Sequence, residues 1–239
     1  DIKNIAEVRQ MSEDSGVWRV GAAVPGMKVI DDPGFSSAWP GVCDGVALIG
    51  SVQVKGRASI GGNLCNASPA ADSIPALMAA GAVATIIGPD GTREDAVENI
   101  VTSPGKTSLG NGEFIVSFGF PARPAHSGDC YIRLTPRTEM DIAVVGVGAN
   151  LTLDDSGVCT AARIAVCAVA PTPLLVTDAA AALVGTKLDD AAMESMITAV
   201  RAACNPISDK RGTKEYRIKT AGVIARRAVE KALERAKAN

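Results

Sequence analysis

The sequence predicts an α+β chain in two parts, and three observations carry that prediction. Short apolar runs alternating with polar or small residues, such as Val17 to Val24 and Phe114 to Phe120, read as strands. A stretch dense in Gly, Asn and Ser, Arg57 to Asp72, lies between apolar segments of the first half. Past a linker marked by two prolines and a glycine, Pro121 to Gly128, the texture changes to strands followed by a tail that is helical from Asp178 onward. Residues 1–122 are therefore read as one domain and 123–239 as a second, with enough chain for each to bury a core.

Each element has a local reason. Ile5, Val8 and Met11 recur at helical spacing, which predicts a helix over 3–13 before a turn at Ser15-Gly16. Val17 to Val24 is a strand closed by Pro25-Gly26, and Val42, Val46 and Ile49 share one face of a helix predicted over 41–49. Either Asp72 or Ser73 caps a short helix with Pro75 in its first turn and Gly81 just past its end. Val83 to Ile87 reads as a strand turned at Gly88-Pro89-Asp90-Gly91. In the second part, strands over 141–147 and 150–153 flank a Gly-Ala break, and Asp154-Asp155-Ser156-Gly157 turns into a strand over 158–166, giving a small antiparallel sheet. Helices are expected over 178–184, 189–203 and 216–238.

Composition removes several function classes. A formal net charge of -2 offers no field to recruit nucleic acid or an anionic membrane. Arg163 interrupts the longest apolar candidate, between Val158 and Val176, so no transmembrane segment is expected. The opening Asp1-Ile2-Lys3-Asn4 has no apolar signal-peptide core, which points to the cytoplasm, and its lack of an initiator Met suggests a start further upstream. Six scattered cysteines without a C-x-x-C pair read as reduced, buried thiols and hold no zinc or iron–sulfur site. Aromatics are 3% of the chain, so the cores must be built from Ala, Val, Ile and Leu.

The stretch from Arg57 to Asp72 carries the chemistry. Adjacent Gly61 and Gly62 allow positive φ and close approach of the main chain to a ligand, and converging N–H groups there favour phosphate. Ser59, Asn63, Asn66 and Ser68 add side-chain donors. Other signatures fail on inspection. Gly105-Lys106-Thr107 lacks the glycine that a phosphate-binding P-loop needs where Ile100 stands. Gly146-Val147-Gly148 has Leu151 at the third glycine position and a strand after it, so it reads as close strand packing. His126 is a lone histidine in the linker with no nucleophile motif near it, and no residue is assigned a catalytic role.

Taken together, Lys55 to Asp72, Asp141-Ile142-Ala143-Val144-Val145 and the run Asp209 to Arg217 resemble the FAD-binding medium subunit of the molybdenum hydroxylases, the family of xanthine dehydrogenase and aerobic carbon monoxide dehydrogenase. The resemblance covers essentially the whole chain and implies a vanillyl-alcohol-oxidase-like (PCMH-type) FAD-binding domain, N-terminally truncated, followed by the family's small C-terminal domain. In that family two glycine-rich loops grip the FAD pyrophosphate, and this chain's loop resembles the second. Ser59, Ile60, Gly61, Gly62 and Asn63 would then form the grip, with Asn66 where the family often has Thr and Asp72 at the nucleotide end. Tyr131 and Arg133 resemble the family's Tyr-x-Lys/Arg at the domain junction near the flavin. The resemblance further implies a large partner subunit with a molybdenum cofactor, a small partner with two [2Fe–2S] clusters, and a dimer of such heterotrimers.

One departure opens a rival reading. The family's first glycine loop has no counterpart here, and losing two or three charge-assisted bonds of ~1.5 kcal/mol each would weaken FAD binding by roughly two to three decades. The chain is then either the FAD-carrying electron-transfer subunit or a flavin-less assembly component of the same complex. A stand-alone flavin oxidase is disfavoured by the lack of a recognisable flavin-linking His or Cys and of a substrate domain.

Overall fold

The computed structural model describes residues 2–138 and 140–239. In chain order the strands are β1 (Met11–Asp14), β2 (Val17–Gly21), β3 (Val83–Gly88), β4 (Gly91–Ala96), β5 (Val101–Ser103), β6 (Lys106–Thr107), β7 (Phe114–Phe120), β8 (Ser127–Leu134), β9 (Val145–Leu153), β10 (Cys159–Cys167) and β11 (Leu174–Leu175). The helices are α1 (Gly26–Asp31), α2 (Pro33–Ala38), α3 (Pro40–Ala47), α4 (Val52–Lys55), α5 (Ile60–Cys65), α6 (Ser73–Ala79), α7 (Thr177–Ala181), α8 (Asp190–Ala203) and α9 (Lys214–Ala238).

The first core lies under a five-stranded antiparallel sheet of order β1-β2-β7-β3-β4. The scarce aromatics gather there. Phe35 meets Phe120 edge-on at 5.1 Å and Trp18 at 5.4 Å, while Trp39 packs against Phe120. The second core lies between the antiparallel sheet β11-β10-β9-β8 and the long helices α8 and α9. Its apolar lining is almost entirely Ala, Val, Ile, Leu and Met, as the composition requires.

Helix α6 joins the two halves, because every one of its residues is buried and it packs on α3 as well as on β9 and β10. It approaches β9 so closely that a Cβ at Gly148 would lie 2.3 Å from the Pro75 carbonyl oxygen. Gly146 is equally tight against Tyr131, so the Gly-Val-Gly triplet is close strand packing, as its sequence suggests.

Several elements differ from the sequence reading. Only a 3₁₀ turn, Glu7–Arg9, forms in the first ten residues, and Met11–Asp14 is an edge strand paired with β2. Ser15 and Gly16 both take positive φ and close that hairpin tightly, so the helical spacing of Ile5, Val8 and Met11 is coincidental. Of those three, only Val8 is buried. The polar strand β4 had no apolar alternation to announce it. The linker ends early, because Ser127 and Gly128 already belong to β8, and 145–153 is one continuous strand rather than two. Pro75 and Gly81 bracket α6 as read, but no side chain caps its start, because the Asp72 carboxylate is engaged elsewhere; the side-chain caps are Asp189 on α8 and Thr213 on α9, which begins at Lys214 rather than 216.

Candidate functional site

The glycine stretch folds as a capped helix start rather than a left-handed nest. Neither Gly61 nor Gly62 takes positive φ; both lie inside α5, and the left-handed residue of the stretch is Ala67 at φ 50. Two adjacent glycines disfavour a helix on their own. Two contacts override that cost. Ser59 is extended and its Oγ accepts from the Gly62 N–H at 3.1 Å, and the Gly61 N–H donates to the Ala22 carbonyl at 3.1 Å. A Cβ at Gly61 would stand 2.6 Å from the Ala22 oxygen, so this glycine serves the docking of α5 onto the segment after β2. At Gly62 a Cβ would meet nothing nearer than Ser59 Oγ at 3.3 Å, and the residue is exposed.

This helix start opens on a cleft of ≈ 490 Å³. Ser59, Gly61 and Gly62 line one side, and Ala22, Leu109, Phe114 and Ile115 give it an apolar wall. Arg57 lines it two residues before the cap and is exposed. Glu113 also lines the cleft, and Arg93 grips it with two hydrogen bonds of 2.7 and 2.8 Å while the Gly110 N–H donates at 2.7 Å. The Arg93 guanidinium holds the Glu113 carboxyl down to about 2. Cys65 also lines the cleft and is exposed, against the expectation that all six thiols are buried; the other five are.

The remaining predicted site residues divide by position. Ile60 is buried and can offer only its backbone to a ligand. Asn63 is half-buried, and its Oδ1 accepts from the Ser73 hydroxyl at 2.7 Å, which leaves the side-chain NH₂ as its available donor. Asn66 sits exposed at the far end of α5. Asp72, Tyr131 and Arg133 do come together, but at the seam between the two cores and not on the cleft. Tyr131 donates to Asp72 Oδ1 at 2.8 Å and Arg133 to Asp72 Oδ2 at 2.7 Å, with a further Arg133 bond to the Leu48 carbonyl at 3.1 Å. Burial raises the Asp72 carboxyl while Arg133 and Tyr131 pull it down, and burial raises the Tyr131 hydroxyl well above its usual range. The carboxylate expected at a nucleotide is thus already held by two protein donors.

A second charged cluster closes the same seam. Arg123 pairs with buried Asp129 at 2.7 Å, and Arg235 on α9 reaches Asp44 on α3 at 2.6 Å. Arg217, in the conspicuous run after Asp209, is buried and bonds the Val144 and Ala168 carbonyls and Asp209, a structural role. His126 is exposed and faces Asp155 at 3.5 Å. Among the described residues no group of His, Cys, Asp and Glu could hold a metal ion. Sequence reasoning missed the cleft walls, because Glu113, Leu109 and Phe114 lie more than forty residues beyond the glycine pair and carry no local signal.

Comparison with known proteins matches this geometry. Residues 1–123 match the FAD binding domain in molybdopterin dehydrogenase, and residues 131–232 match the CO dehydrogenase flavoprotein C-terminal domain. The carbon monoxide dehydrogenase medium chain of Afipia carboxidovorans is 34% identical over 99% of this chain and 82% of its own length. A putative xanthine dehydrogenase FAD-binding subunit of Escherichia coli is 30% identical over 98% of this chain and 80% of its own. Reconstituted CO dehydrogenase from Oligotropha carboxidovorans superposes with a TM-score of 0.94 at 31% identity, covering 98% of this chain and 82% of that one. Quinoline 2-oxidoreductase from Pseudomonas putida 86 gives 0.88 at 27% identity, covering 99% and 81%. This chain belongs to the family of FAD-binding subunits of the molybdenum hydroxylases, an oxidoreductase subunit with the family's FAD-binding domain ahead of its CO dehydrogenase flavoprotein C-terminal domain.

Proposed function

We propose that this chain carries FAD in the cleft beside α5 and passes electrons from the [2Fe–2S] clusters of a small partner subunit to an external acceptor, the oxidation itself taking place at a molybdenum cofactor in a large partner. The observation that carries the reading is the capped start of α5 opening, with Arg57, on a cleft that has one polar and one apolar side. That donor set fits a dinucleotide: hydroxyl, amide and guanidinium donors for the diphosphate and an apolar wall for a ring. Bound FAD supplies electron acceptance and delivery. The residues of this chain hold and orient it: Arg57 and the Ser59 hydroxyl at the phosphates, with Gly61 and Gly62 giving close approach while their own N–H groups bond the Ala22 carbonyl and Ser59 Oγ, Ile60 and Asn63 holding α5 behind them, and the Ala22, Leu109, Phe114 and Ile115 wall against water. Asn66 flanks this grip, while Asp72, Tyr131 and Arg133 frame it from behind by fixing α6 to β8.

The flavin-less reading is not favoured, since both family matches are to flavoprotein domains. The two cores support a division at residues 1–122 and 123–239. Relatives described as medium chains and subunits support a heterotrimeric assembly, and its doubling to a dimer of heterotrimers is part of the proposal. Among the described residues no helix is long and apolar enough to cross a membrane, and the proposed setting is the cytoplasm.

The test is a titration of the full chain, purified with its partners and stripped of flavin, followed by quenching of FAD fluorescence. Stoichiometric uptake with recovery of the visible flavin spectrum is expected. An assembled complex that stays colourless at saturating FAD would remove the reading.

A further inference from the structure

The charges of the cleft go further than the glycine stretch. Its lining residues include one acid, Glu113, and two cations, Lys3 and Arg57. Glu113 is a shared wall: the groups that engage it, Arg93 and Gly110, line the neighbouring cavity of ≈ 400 Å³ and not the cleft. The Arg93 fork and the Gly110 amide engage both oxygens of the carboxylate, and Arg93 also reaches Asp95 at 3.2 Å, so an arriving anion meets a Glu113 charge that is already offset by a cation. Arg57 differs from Arg93. Among the described residues it makes no ion pair and no side-chain hydrogen bond, it is exposed, and it stands beside the Ser59 hydroxyl. An uncommitted guanidinium beside a hydroxyl donor is the group that meets a diphosphate with two parallel N–H bonds.

We infer that Arg57 is the cation that binds the diphosphate of the dinucleotide, and that Arg93, held between Glu113 and Asp95, is a positioning residue which keeps the cleft receptive by offsetting the Glu113 charge. The inference rests on the proposal that this cleft takes FAD. It divides the FAD grip into a charge-bearing part, Arg57, and a shape-bearing part, the start of α5.

The experiment compares FAD with riboflavin, which has the same ring and no phosphate, on the full chain in its flavin-stripped complex. Arg57→Gln is expected to weaken FAD by about 10- to 100-fold, the worth of one to two charge-assisted bonds, while leaving riboflavin unchanged. Arg57→Lys recovers part of the loss, and the salt dependence of FAD affinity flattens in Arg57→Gln. Arg93→Gln is expected to weaken FAD several-fold by freeing the Glu113 charge, and Arg93→Gln/Glu113→Gln to restore it. Equal FAD affinity in wild type and Arg57→Gln overturns the Arg57 assignment. A loss in Arg93→Gln that persists in the double variant overturns the role of Arg93, since it then acts through shape and not through charge. Equal uptake of riboflavin and FAD by the wild type likewise overturns the Arg57 assignment, whereas a wild type that takes up neither fails the flavin reading first, which is a separate outcome.

Discussion

The stretch from Arg57 to Asp72 begins at an open cleft and ends at a closed seam, and its two ends use polar groups for opposite purposes. At the front, Arg57 and the Ser59 hydroxyl line the cleft with donors to spare, beside Gly62, whose own N–H is taken by Ser59 Oγ. At the back, Asp72 is buried and both of its carboxylate oxygens are engaged, one by Tyr131 and one by Arg133. A run of polar residues between apolar segments is thus not one site. Half of it is available to a ligand, and the other half welds the FAD-binding domain to the C-terminal sheet. Donors that are exposed and uncommitted can recognise a ligand; those that are buried and satisfied fix the frame on which the ligand site stands.

Breaking the seam should produce the largest effect. Arg133→Met leaves the buried Asp72 carboxylate without its cation and is expected to cost about 3–5 kcal/mol in urea unfolding, with Asp72→Asn/Arg133→Met regaining much of it. FAD affinity of the folded Arg133→Met fraction should stay near wild type, because the seam does not line the cleft. A smaller effect separates the two glycines. Gly61→Ala pushes a methyl into the Ala22 carbonyl and is expected to cost about 1–3 kcal/mol, whereas Gly62→Ala, whose methyl meets only the Ser59 hydroxyl at 3.3 Å, should cost less. Ser59→Ala removes the cap of α5 for about 1 kcal/mol, read in the same unfolding curves.

Two carboxylates sharpen the contrast through pH. The folded pKa of Glu113 is depressed from 4.5 to about 2, so its contribution to stability is present above pH 4.5 and lost as the pH falls from 4.5 through 2. Asp72 is raised by burial, so its contribution is present below its unfolded value of 3.8 and lost as the pH rises through the folded value. Thermal melts across this range should show the acid-side loss diminished in Glu113→Gln. Asp72→Asn should instead remove a loss that grows with rising pH.

Much of the fold was legible because local chemistry and tertiary structure agree. The alternation of β2 and β7, the Pro75 and Gly81 brackets of α6, and the extents of α8 and most of α9 are written in a few adjacent residues. The misreadings lie where tertiary contacts decide. Ile60–Cys65 is helical in spite of two glycines because Ser59 caps it and Ala22 receives it. Met11–Asp14 is a strand because the Ser15-Gly16 turn folds it onto β2. The glycine stretch identified the family and the front of the site, while Arg93 and Glu113 meet only through the sheet that carries β4 and β7, and nothing in their own neighbourhoods announces a cleft.

Hydrogen exchange of backbone amides in the full chain, with and without FAD, tests the division between cleft and seam in one experiment. Added FAD should slow exchange over 57–65 and 109–115 and leave the already protected strand around Tyr131 and Arg133 as it was. Slowed exchange confined to residues 131–133 and α6, with 57–65 unaffected, would place the flavin at the seam and reverse the roles given to the two ends of the stretch.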